Sequence, residues 1–132
     1  MRFNGHNLLA ILAAAIAIYL IEFVIFAVLM SPEQYQAMIG VTAEQLHPDR
    51  MAFGIIPPLL GAIGLSLAVK WRNAPGLMGG AMTGVWMGIF FALAGSLYGF
   101  VYGSNSETLV AVNLGHFIVC YGVAGGILGV WK

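Results

Sequence analysis

The chain has 132 residues, of which 61% are hydrophobic and only 8% charged, and its five basic and five acidic side chains cancel. A soluble domain carries about a quarter charged residues, and one this poor in charge would expose apolar patches large enough to aggregate. The composition therefore excludes an ordinary soluble domain and makes the lipid bilayer the chain's first partner. No polybasic segment of the kind that reads nucleic acid or lipid headgroups is present, so no nucleic-acid partner is expected.

Arg2 before an apolar stretch has the look of a signal peptide, but the stretch is about twice the length of such an apolar core and reads as a retained helix. This first span, residues 8–30, carries one charge, Glu22. A carboxylate at that position is expensive in hydrocarbon and requires a partner, a proton or a water-filled cavity. The polar connection 31–50 follows. Ser31-Pro32-Glu33 reads as a helix start, with a capping hydroxyl, a proline in the first turn and an acid on the positive end of the dipole. Gly40 ends that helix, and Thr42-Ala43-Glu44-Gln45 is a capping box for a second turn. Two short interfacial helices are expected here.

The second span covers about residues 51–69, and its Pro57-Pro58 pair predicts a kink that frees carbonyls near Phe53 and Gly54. The third covers about 77–101 and carries small residues at every fourth position: Gly80, Gly84, Gly88, Ala92 and Ser96. Such a ridge lets a second helix approach closely, either within the chain or from another protomer. The fourth covers about 109–131, with Gly122/Gly126 and Gly125/Gly129 as shorter versions of the same pattern. Each span has roughly 19 to 25 residues, which matches the hydrocarbon thickness for a helix, and backbone pairing within each span leaves helix as the only solution. The expected fold is an all-α membrane protein: a four-transmembrane-helix up-down bundle forming one domain over residues 1–132. Arg2, Lys70, Arg72 and Lys132 fall on one side of it and Arg50 on the other, which predicts that both termini are cytoplasmic.

Counting residues places the intramembrane polar groups. Glu22 lies roughly 12 Å and His116 roughly 10 Å below the outer ends of their spans. Asn113 is one turn above His116 on the same face and Cys120 one turn below. Ser96 and the proline pair fall about 8 to 10 Å deep. A Glu and a His at one depth are natural partners, either as a structural hydrogen bond or as a protonatable, ligand-binding site completed by Asn113 and Ser96. Glu22, His116 and Cys120 show no recognised metal-ligand spacing, so no metal or cofactor is expected. The lone Cys120 precludes an intramolecular disulfide. His6 and His47 read as solvated surface residues. The chain lacks a glycine-rich phosphate loop, a nucleophile elbow and a metalloprotease motif, so it is not expected to be an enzyme.

Three stretches carry a family resemblance: residues 7–14 opening the first span; Ser31-Pro32, Tyr35 and residues 40–44 after it; and residues 112–116 with 127–131 in the last span. Together they resemble the bacterial membrane family known as domain of unknown function 1761. The resemblance covers the whole chain and implies a small inner-membrane protein of four helices, with no established activity to carry over. Glu22 lies outside these stretches. Two functions are then expected from the residues. One is binding or transport of a small solute or ion through Glu22 and His116, with the chain acting as a homo-oligomer. The other is a structural or accessory role in a larger membrane complex, docked through the small-residue ridge.

Overall fold

The computed structural model describes residues 2–3 and 5–131, so Lys132, one of the basic residues behind the expected orientation, lies outside the described residues. The chain opens on a two-stranded antiparallel ladder, β1 (Arg2–Phe3) and β2 (His6–Asn7), in which Phe3 is level with His6. Gly5 in the turn has φ +79°, a conformation that costs glycine little. Asn7 then caps α1 (Leu8–Phe23), its side-chain oxygen accepting the Leu9 N–H at 3.2 Å. The first span continues through a π-helical turn, Val24–Val28.

The connection follows its capping residues closely. Ser31 and Gln34 form a reciprocal box at the start of α2 (Pro32–Ile39): the Ser31 hydroxyl accepts the Gln34 N–H at 3.2 Å, and the Gln34 amide accepts the Ser31 N–H at 2.9 Å. Gly40, at φ 68°, ends the helix in the left-handed region. The Thr42–Gln45 box surrounds only a single 3₁₀ turn, Ala43–Gln45. A second 3₁₀ segment, Pro48–Phe53, leads to α3 (Ile56–Trp71).

Pro57 and Pro58 stand in the first turn of α3. They do not bend a continuous helix, as the sequence led us to expect. The proline ring is pre-set for helical φ, and its missing N–H would have had no partner in a first turn, so the pair starts the helix and leaves the preceding residues to a tighter winding. α3 ends in a Schellman motif: Ala74 N–H donates to Val69 O and Asn73 N–H to Lys70 O, with Asn73 at φ 50°.

The third span is α4 (Gly76–Met87), a π-helical stretch Gly88–Leu93, and α5 (Ala94–Val101); the fourth is α6 (Glu107–Val130), capped by the Ser106 hydroxyl. Four helices are thus long and apolar enough to cross a membrane, with spans at 8–28, 48–71, 76–101 and 107–130. No more than 28% of the most apolar window of any span is buried inside the protein, so most of the apolar surface is left for lipid or a partner.

α6 is the centre of the bundle, packing against α1, α3 and α4. Its contact with α4 is backbone on backbone. A Cβ placed on Gly84 would overlap the Tyr121 carbonyl, one on Gly80 the Gly125 carbonyl, and one on Gly88 would come within 2.7 Å of the Phe117 carbonyl. The ridge of the third span is therefore filled by α6 of the same chain, with Gly125 and Gly129 answering it. Beyond Gly88 the wider π turn shifts the stripe's phase. Ala92 falls within that turn, half-buried, and the Ser96 hydroxyl donates to Leu93 O in its own helix at 2.9 Å.

The contact with α1 is made of side chains in antiparallel register. Glu22 meets His116, and Cys120 Sγ lies 3.9 Å from the Ile18 carbonyl. Continuing one turn at a time brings Ala14 level with Ala124, both fully buried, and Ala10 level with Leu128. This seam has a polar group at each end.

Candidate functional site

At the end bearing the long connection, His116 Nε2 lies 3.5 Å from Glu22 Oε1. The two differ in access: the histidine is 5% exposed and the glutamate 30%. Among the described residues neither ring nitrogen of His116 has a hydrogen-bond partner, because the Glu22 contact is long for a hydrogen bond. Apolar rings enclose the imidazole. Phe26, from the π turn of the first span, meets it edge-on at 5.1 Å between centroids, and Phe117 lies tilted at 4.7 Å. Tyr35 of α2 packs edge-on against Phe26 at 5.7 Å. α2 is held in place by the 102–106 connection, where Ser104 donates to Ile39 O at 2.9 Å and the Ser106 N–H to Met38 O at 2.8 Å. The short helix thus forms an outer cover: Tyr35 over Phe26, Phe26 over His116.

Of the polar layer expected from the sequence, Glu22 and His116 come together. Asn113 is half-buried one turn away, and its side chain makes no hydrogen bond among the described residues. Ser96 is satisfied within its own helix, and the prolines begin α3. Among the described residues no three His, Cys, Asp or Glu side chains converge as a metal-ligand set. The π turn after Glu22 was not foreseen, yet it places Phe26 on the histidine; π-bulges recur at functional sites.

The opposite end of the seam holds a second polar centre. His6 does not lie at a solvated surface as expected: the terminal ladder turns it onto α3, where Nδ1 lies 2.8 Å from the Ser66 hydroxyl. A recess of about 220 Å³ opens there, lined among others by His6, Asn7, Ser66, Lys70, Asn73 and Trp131. The nearby Arg72 turns to α4, donating to Thr83 Oγ1 at 2.8 Å, while that hydroxyl donates to Gly79 O.

The class these features define is a helical bundle with four helices long and apolar enough to cross a membrane and, among the described residues, one acid–imidazole contact between a buried ring and a partly exposed carboxylate. The family follows from the sequence: residues 9–129 match the family described as protein of unknown function (DUF1761), and the chain belongs to it. No curated protein and no solved structure matches the chain.

Proposed function

We propose that Glu22 and His116 form a protonatable intramembrane site through which this protein binds or moves a small solute or ion. The observation that carries the reading is the buried imidazole with both nitrogens unbonded beside a partly exposed carboxylate. An unsatisfied buried polar group costs about 1–3 kcal/mol, and a pair kept only to fasten α1 to α6 would close to hydrogen-bond distance and remove that cost. An open pair can instead take a proton or a small cation between its members, with Glu22 as the accessible partner and His116 as the sealed one. The carboxylate faces a ring that is only 5% exposed, which favours a proton or small ion over a bulky solute. The proposal extends to a bacterial inner membrane with both termini cytoplasmic, which Lys70 and Arg72 at the terminal end support.

The accessory-subunit alternative was motivated by the glycine ridge, and that ridge is occupied by α6 of the same chain. Extraction in mild detergent followed by mass measurement separates the two readings: recovery as a free monomer or homo-oligomer fits the site, and recovery only within a hetero-complex fits the accessory role. The direct functional test is proton flux into pyranine-loaded proteoliposomes under an imposed potential. The wild type should carry protons, and Glu22→Gln and His116→Phe should fall to the rate of protein-free vesicles. Equal flux in wild type and Glu22→Gln would overturn the proposal.

A further inference from the structure

We infer, building on the protonatable pair proposed above, that α2 is a hinged cover that opens and closes the way to His116 from the end bearing the long connection. The helix has only eight residues, too few to hold its place by its own backbone bonds, so what it packs against decides where it lies. One buried side chain, one ring contact and two hydrogen bonds hold it. The side chain is Met38. Tyr35 meets Phe26 edge-on, and Phe26 meets the imidazole. Ser104 donates to Ile39 O and the Ser106 N–H to Met38 O; among the described residues these are the only hydrogen bonds α2 makes to another part of the chain. The Ser104 bond is exposed, so water competes for both its partners.

The two ends of α2 are built to turn. Ser31 precedes it in extended backbone, at φ −78° and ψ 156°, and Gly40 follows it in the left-handed region. Such element-terminal residues absorb the dihedral changes of a hinge. Between them the Ser31–Gln34 box, and the Gly40 N–H donating to Gln36 O, keep the helix in one piece. The anchor opposite is fixed: the Asn105 N–H donates to Gly99 O at 3.2 Å and ties the connection to α5. Gly40 seats directly on Ser104, where a Cβ would overlap both the backbone carbonyl and the side chain. The closed position therefore needs glycine twice, for its φ and for its missing Cβ.

The contacts from the surface to the ring run in single file: Tyr35, Phe26, His116. Lifting α2 takes Tyr35 off Phe26 and frees that ring to leave the imidazole. Glu22 is 30% exposed with α2 in place and His116 only 5%, so the cover governs the imidazole and not the carboxylate. Contacts of this number and strength permit a minor open population in exchange with the closed one.

Access to position 116 tests the cover apart from any transport. The full-length chain carrying His116→Cys and Cys120→Ala is placed in nanodiscs, and its modification by a charged methanethiosulfonate, which does not approach through hydrocarbon, is timed. Ser104→Ala removes one latch bond and should speed modification about fivefold, the change in population set by one net hydrogen bond. Gly40→Ala pushes the hinge off Ser104 and should speed it further. Thr42→Ala disturbs the neighbouring turn without touching the latch and should leave the rate unchanged. If Gly40→Ala does not fold, Ser104→Ala carries the test. Equal rates in Ser104→Ala, Gly40→Ala and the parent chain, or an equal rise in Thr42→Ala, overturn the inference. Proton flux in chains that keep His116 reads the transport proposal separately: faster modification in Ser104→Ala with no flux in the wild type supports the cover and refutes transport through the pair.

Discussion

His116 and His6 sit at opposite ends of one seam, four rungs apart, and only His6 has a hydrogen-bonded ring among the described residues. His6 is half-buried, hydrogen-bonded to Ser66 at 2.8 Å and placed by a terminal ladder beside a recess. His116 is buried, unbonded, and walled by Phe26 and Phe117. The two imidazoles thus differ in the partner each meets as well as in depth. The ring at the terminal end has a neutral partner that fixes its position; the other has a carboxylate just beyond hydrogen-bond reach. Between the two ends run the close-packed rungs of Ile18, Ala14 and Ala10, which hold the distance between the sites.

The largest effect should come from breaking the frame that carries both ends. Gly84→Val drives a side chain into the Tyr121 carbonyl and should destabilise the bundle by about 3 kcal/mol or more, within the upper range for overpacking. Gly115→Ala, on α6 where nothing lies within 4 Å, should instead match or exceed wild-type stability by up to about 1 kcal/mol, because alanine is the better helix former. Chemical unfolding in detergent measures both, and similar losses in the two variants would contradict a backbone-on-backbone α4–α6 contact.

The next prediction separates the two histidines. His116→Phe removes a buried polar group that has no hydrogen-bond partner and should stabilise the protein by about 1–3 kcal/mol while abolishing proton flux. Ser66→Ala removes a made hydrogen bond and should cost about 1 kcal/mol with flux intact. If both variants destabilise alike, the contrast between the ends fails.

The smallest effect lies at the rim of the covered end. Glu33, in the first turn of α2, has its carboxyl held below the ordinary value of 4.5 by a hydrogen bond from its own backbone N–H and by Ser31. A depressed carboxyl contributes stability above its unfolded pKa and loses it as pH falls through the folded one. Wild-type α2 should therefore loosen on acidification below that ordinary value, and Glu33→Gln should not show that step. Hydrogen exchange at residues 35–39 reads the difference.

Most of the frame was legible because hydrocarbon imposes length and backbone pairing on each span, and because Ser31, Gly40 and Thr42 state their turns through local chemistry. The pairing of Glu22 with His116 was legible by counting rises along two antiparallel helices. The proline pair was misread because apolarity runs back to Met51, and composition does not distinguish a 3₁₀ lead-in from a helix bent at its middle. The π turns at Val24–Val28 and Gly88–Leu93 leave no residue signature, and they decide where Phe26 and Ser96 fall. Asn4-Gly5 between Phe3 and His6 is the dipeptide typical of tight hairpins, a signal for the ladder that carries His6 inward; the recess itself depends on tertiary contact and has no local pattern.

The role proposed for the Glu22–His116 pair is to take up and release a proton while the fold stays the same. The imidazole ¹⁵N resonances of His116, recorded by solid-state NMR in lipid across the pH range in which the protein stays folded, test it most directly. The account predicts that the ring passes between a neutral and a doubly protonated state, and that Glu22→Gln displaces this transition. A ring that keeps one tautomer and one charge throughout, unaffected by Glu22→Gln, would contradict it.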